Sequence, residues 1–274
     1  MSLLSSSSET SSKPAPVSTS WVESLLAQNL YTLSLNEREN ALEDLHGVPG
    51  IVNETPDLVS NRLSELEREL SEILEKTAFD LAACQDPNYV RSRVLRLKFL
   101  RAERFDAYKA AKRLVGFFDE KLVLFGQTCL DRELLLSDLN QEDRTCLESG
   151  LMSLLPVRDR AGRCVITWMP AFRDGHNPLC RIRCLLYLLC LVANEENTQK
   201  KGLVVLWLDF GPQRTYFDRS ACGLATTLLG GAPARFSAFH VCVSNSKVTA
   251  LWSSFIRPFM EPAILARIRF HCGK

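Results

Sequence analysis

Short β-branched apolar runs that alternate with helix-length segments over the second half of the chain constrain the fold most. Cys164-Val165-Ile166-Thr167-Trp168, Leu203-Val204-Val205-Leu206-Trp207-Leu208-Asp209 and Phe239 to Val243 are brief and continuously apolar, as strands buried on both faces are. Arg183 to Val192 reads as a buried helix between the first two. Between the second and third, Asp218 can cap a helix over Ala221 to Leu229 that Gly230-Gly231 stops. After the third, Ser244, Asn245 and Ser246 can cap a helix whose Val248, Leu251, Trp252, Phe255 and Ile256 recur at the spacing of one face, and Pro258 ends or kinks it. Glu261-Pro262 opens another short helix with proline at its first position, and Arg267-Ile268-Arg269-Phe270-His271 alternates as a half-buried strand. A helix between two strands is a crossover. The expected fold class is therefore α/β, a mainly parallel sheet with right-handed connections and flanking helices.

Ahead of this lies an all-α part. Residues 1 to about 20 are Ser, Thr and Pro-rich and carry too little apolar surface to offset ordering entropy. Trp21, Val22, Leu25, Leu26 and Leu30 form a short helical stripe expected to dock on its own domain, and residues 47–54 read as a loop. The organisation expected is an irregular N-terminal tail with a short helix over 1–56, a helical part over 57–126 and an α/β domain over 127–274. Asp57 is the expected cap of a helix running to about Ala83. Asp86-Pro87 opens the next, with Arg91, Arg93, Arg96, Lys98, Arg101 and Arg104 among apolar residues, and a break at Phe105-Asp106 precedes a third.

Composition excludes several classes of function. A formal net charge of +1 over 274 residues gives no global attraction to nucleic acid, so local patches alone can carry charge recognition. The 10 cysteines form no CxxC pair; Cys180 and Cys184, four apart on one helix, read as buried free thiols, and no metal site or cofactor is expected. The start of the chain has no secretory apolar region, which points to a reducing intracellular setting, and the apolar run 185–193 is far too short to span a membrane.

Catalytic constellations are missing from the sequence. Asp209-Phe210-Gly211 imitates the metal-binding tripeptide of protein kinases, yet no HRD-type loop, glycine-rich phosphate loop or strand lysine accompanies it. An aspartate closing a strand before a turn is the better reading. Without a GxSxG elbow, HExxH or GxxxxGK the chain is expected to be no enzyme.

Two ordered segments carry a family resemblance. The order of buried strand, amphipathic helix, Arg257-Pro258-Phe259-Met260 and final strand resembles the end of the lipid-binding domain of the CRAL-TRIO lipid-transfer family, and Phe99-Leu100-Arg101-Ala102-Glu103-Arg104-Phe105-Asp106 closely resembles the motif of that family's N-terminal helical part. The resemblance covers about residues 57 to 272. It implies a sheet floor and a mobile gate helix over a hydrophobic pocket, whose lipid is exchanged at membranes.

The lining residues expected on this basis are Val165, Leu206, Val241, Leu251 and Phe255, with Arg235 and Arg257 as polar contacts at the mouth and Val248, Trp252, Ile256 and Pro258 forming the membrane gate. Members that hold phosphatidylinositol carry Pro-Glu-Arg and Lys-Pro-Phe where this chain has Pro233-Ala234-Arg235 and Arg257-Pro258-Phe259, so weak headgroup selection is expected. Another motif position that contributes to phosphoinositide recognition in the family is Glu103 here. Family members continue past the last strand, and this chain stops at Lys274, as a shortened member or a fragment would.

The expected function is binding of a lipid cargo and its transfer or presentation between membranes, by a cytoplasmic, peripherally membrane-associated protein, with a monomer favoured. Expected partners are the lipid and a transient membrane surface, with room for a protein partner and none for nucleic acid. The alternative is a non-catalytic interaction module with a vestigial pocket that recruits a protein or membrane partner.

Overall fold

The computed structural model describes residues 20–48, 50–169, 177–209, 227–243 and 261–272. The chain begins with α1 (Ser20–Thr32) and α2 (Leu35–His46), then α3 (Pro56–Glu72), α4 (Thr77–Gln85), α5 (Pro87–Arg91), α6 (Arg93–Ala102), α7 (Ala107–Phe125) and α8 (Gln141–Glu148). The α/β part follows as β1 (Met152–Arg158), β2 (Cys164–Trp168), α9 (Pro178–Val192), α10 (Glu196–Lys201), β3 (Leu203–Asp209), a helical stretch at 227–231, β4 (Phe236–Val243), α11 (Pro262–Leu265) and β5 (Ile268–Cys272).

The sheet order is β1-β2-β3-β4-β5, with β1 antiparallel to β2 and the other pairs parallel. This bears out the mainly parallel α/β sheet expected from the alternating apolar runs. The edge strand β1 was not anticipated: its Pro156 and its largely exposed side chains remove the apolar run that marks the buried strands.

The helical part departs from the sequence expectation in its breaks. Thr55, rather than Asp57, caps α3 by accepting from the Leu58 N–H, and α3 ends at Glu72, so the helix expected to reach Ala83 is two helices. A second break at Ser92 separates α5 from α6. Residues 35–46, placed by the sequence reading in an irregular tail, form α2 with a full capping box: the Glu37 N–H donates to Ser34 Oγ, while the Ser34 N–H donates to the Glu37 carboxylate at 3.1 Å. Hydrogen bonds from Lys109 and then Ser34 hold the Glu37 carboxyl down to about 2. Leu30, the last residue of the expected α1 stripe, packs with Leu33 against Ala263 and Ala266 beside α11, while the side chains of Trp21, Val22, Leu25 and Leu26 lie outside those described.

One apolar core runs through both parts. Leu70, Phe99, Leu114 and Phe118 of the helical part share it with Ile182, Leu186, Ile166 and Val205 of the α/β part. One close junction between them is glycine on glycine. A Cβ on Gly231 would lie 3.0 Å from the Gly116 carbonyl carbon and 3.1 Å from its oxygen, whereas a Cβ on Gly116 would meet Gly231 at 3.7 Å. Beside it, Arg113 of α7 donates to the carbonyls of Leu229 and Ala232 at 3.2 and 3.0 Å, satisfying the end of the 227–231 helix.

The asymmetry is testable by urea denaturation. Gly231→Ala should cost about 1–3 kcal/mol, because backbone must move to admit the methyl. Gly116→Ala should be neutral or stabilise by up to about 1 kcal/mol through helix propensity. Equal effects would mean that the two helices are not held at this separation.

Candidate functional site

Strand register sorts every sheet residue onto one of two faces. Ile166, Val205, Phe239 and Ile268 pair across β2 to β5 and belong to the main core with Leu185, Leu186 and Leu189 of α9. Val165, Val204 and Ala238 point the other way and form a separate cluster with Leu45 of α2. Four adjacent strands running in one direction, joined by right-handed crossovers, keep their connections on one side. Accordingly α9 and residues 228–229 are found on the first face, here the front, while α2 covers the amino half of the back.

Towards the carboxyl end of the strands, the front carries an apolar row. Trp168, Trp207, Val241 and Phe270 are register partners across all four parallel strands. The two indoles stack, with ring centroids 5.2 Å apart and planes 18° from parallel. Val241 is fully buried, and the three aromatic residues are half-buried. No member of the row titrates, so it offers apolar contact rather than acid–base or nucleophilic chemistry. The chain leaves β2, β3 and β4 at this end, which is where open α/β sheets bind ligands.

The residues expected to line a pocket are not brought together. Val241 lies in the front row, but Val165 and Leu206 belong to the back cluster with Leu45, so these three cannot line one cavity on the same face. Strands buried on both faces show no polar alternation, and the sequence therefore gave no parity by which to separate Val165 from Ile166 or Leu206 from Trp207. Trp168, Trp207 and Phe270 were missed for that reason. Counting in steps of two from Val241 and across the paired strands recovers them once the register is known. Leu251, Phe255, Arg257, Val248, Trp252, Ile256 and Pro258 lie outside the described residues.

Arg235 also departs from its expected role at a pocket mouth. It precedes β4, at the amino end of the sheet, and is buried against Asp44 of α2, with Nε 3.4 Å from Oδ1 and Nη2 donating to the Lys200 carbonyl at 2.9 Å. Two further guanidiniums reach the same carboxylate: Arg104 Nη2 at 3.2 Å, and Arg267 Nε and Nη2 at 2.9 and 2.7 Å. Arg163 donates to the Asp44 backbone carbonyl. Burial pushes the Arg235 guanidinium down to about 10, Asp44 acting in the opposite direction.

The Leu-Arg-Ala-Glu-Arg-Phe motif feeds this cluster. Arg104 and Phe105 adopt positive φ of 51° and 64°, a turn that aims Arg104 at Asn40, Glu43 and Asp44, while Glu103 turns back to Arg113 at 2.5 Å. Asp44 itself is fully buried. Asp44→Asn should therefore cost about 3–5 kcal/mol, the range for removing one partner of a buried ion pair. A loss below about 1 kcal/mol in urea denaturation would show that solvent screens the cluster.

No family model matches the chain. Alpha-tocopherol transfer protein-like of Homo sapiens and alpha-tocopherol transfer protein-like of Pongo abelii are each 26% identical to it over 256 aligned residues, covering 85% of this chain and 69% of each relative. The similarity spans both the helical part and the sheet. The mainly parallel α/β fold with its N-terminal helices, together with these relatives, bears out the resemblance to the CRAL-TRIO lipid-transfer family.

Proposed function

We propose that the protein binds an apolar lipid against the front of the sheet, at the Trp168, Trp207, Val241 and Phe270 row, and transfers or presents it between membranes. The single observation that carries this reading is that row: an apolar strip across four strands, at the end of the sheet where ligands bind. The relatives named for tocopherol transfer support the same class of cargo. In this proposal the protein is a carrier, not an enzyme. Membrane contact is peripheral; among the described residues no helix is long and apolar enough to cross a bilayer.

Front-face binding revises the lining set. Val241 stays, Trp168, Trp207 and Phe270 join it, and Val165 and Leu206 leave it. Leu251 and Phe255 are retained as lining from the segment between β4 and β5, with Val248, Trp252, Ile256 and Pro258 as its membrane gate. Arg257 remains as a headgroup contact, whereas the Asp44 cluster engages Arg235. With Ala234 in place of an acidic acceptor, headgroup selection should be weak.

Native mass spectrometry of the purified protein, followed by analysis of extracted lipid, tests the binding. Wild type should carry close to one lipid per chain. Trp207→Ala should lower affinity for a fluorescent lipid about tenfold or more, the equivalent of losing part of a large buried side chain, while Leu206→Ala on the back leaves it unchanged. No extractable lipid, with neither variant affecting lipid binding, would favour an interaction module with a vestigial pocket.

The gate assignment has its own test. A bilayer removes the penalty for exposing an apolar helix face, and Trp suits the interface because its ring is apolar and its N–H still finds a partner. Trp252→Asp should slow lipid exchange between vesicles while leaving far-UV circular dichroism unchanged. Exchange at the wild-type rate would remove Trp252 from the gate.

A further inference from the structure

Far from the front row, α8 and α9 bring three cysteines into one buried group. Cys180 and Cys184 lie one turn apart on α9, and Cys146 faces them from α8; all three are fully buried, with sulfurs within 4.8 Å of one another. We propose that Cys146, Cys180 and Cys184 form a three-coordinate thiolate site for the soft cation Cu(I).

The geometry needs little change. Metal–sulfur bonds of about 2.3 Å put the sulfurs of a planar trigonal site about 4 Å apart. The two helices are already clamped beside the cluster, because Arg183 of α9 holds the buried Asp143 of α8 through Nε at 2.9 Å and Nη2 at 2.7 Å. Soft thiolates select Cu(I), zinc or iron–sulfur clusters. Structural zinc closes with four ligands, and among the described residues no fourth cysteine, histidine or carboxylate lies within 4.8 Å of all three sulfurs, the neighbouring Asp143 carboxylate being engaged by Arg183. Three sulfurs alone match monovalent copper.

The electrostatics shape how such a site fills. Without metal the thiols are neutral donors: Cys180 Sγ donates to the Glu142 carbonyl at 3.4 Å and Cys184 Sγ to that of Asp143 at 3.1 Å. Burial first and then Cys146 push the Cys180 thiol upward, and the hydrogen bond with Cys146 followed by burial does the same to Cys184. Binding therefore replaces three S–H bonds by three S–Cu bonds and releases three protons to solvent, so affinity rises with pH. Cys180 sits in the first turn of α9, whose dipole offsets part of the anionic charge, while Arg183 neutralises the Asp143 carboxylate that opposes it. Because the sulfurs are closed off from solvent, copper should enter during folding or when α8 lifts from α9, and leave slowly.

The test is anaerobic refolding of the full chain with Cu(I), followed by challenge with a chromogenic Cu(I) chelator. Wild type should retain one copper per chain, with three sulfur neighbours by X-ray absorption. Cys146→Ser, Cys180→Ser and Cys184→Ser should each weaken retention at least tenfold, while Cys84→Ser, at an exposed thiol, and Cys242→Ser leave it unchanged. Loss of copper from wild type, a copper shell with nitrogen, oxygen or fewer than three sulfurs, or equal retention by folded cluster variants would overturn the proposal. Should the buried variants fail to fold, the absorption spectrum of wild type decides.

Discussion

The Asp44 carboxylate is the contact on which the arrangement of this protein depends. It is fully buried, and the guanidiniums that reach it come from the α6–α7 turn, the entry to β4 and the residue before β5, while Arg163 after the β1–β2 turn takes its backbone carbonyl. A buried carboxylate is costly alone and buried arginines are costly without it, so each element is held in place by the others. Glu43 against Arg104 and Asp159 against Arg163, both at 2.7 Å, supply further counter-charge. The result pins α2 onto the back of the sheet and joins the helical part to the α/β part at its amino end.

With the amino half of the back covered by α2, topology favours the front as the face for the proposed ligand. Parallel neighbours with connections of one hand leave their helices on the front, and the apolar row at the carboxyl end of the strands faces that side. The two ends of the sheet thus divide the work. Ion pairs at the amino end fix the geometry, and the uncharged aromatic row at the carboxyl end is where the proposed apolar ligand would sit. Close packing of Gly116 against Gly231 and the Arg113 cap carry that geometry into α7.

Much of this was legible in the residues. The apolar runs at 164, 203 and 239 marked the parallel strands because strands buried on both faces need no polar alternation, and the helix between the first two followed from its own periodicity. That same double burial concealed which side each residue faces, so Val165 and Leu206 were grouped with Val241 although they point away from it. α2 was hidden because only Ala41 and Asp44 are buried in it, which gives almost no apolar stripe, yet Ser34-Leu35-Asn36-Glu37 spells a capping box that a search for helix starts would have found. Arg235 was misplaced because its partner lies 191 positions away in the chain, and no local pattern announces such a pair. Cys180 and Cys184 drew attention by spacing, but the third thiol, Cys146, comes from another helix and only packing reveals it.

Photo-crosslinking tests the central claim, that lipid sits on the front of the sheet, most directly. A lipid bearing a photoreactive group in its apolar part should label α9 and the strand residues Trp168, Trp207 and Val241 when the loaded protein is irradiated and mapped by peptide mass spectrometry. Labelling confined to α2 and to the back residues Val165, Leu206 or Ala238 would contradict the account, because it would place the ligand on the side that Asp44 closes.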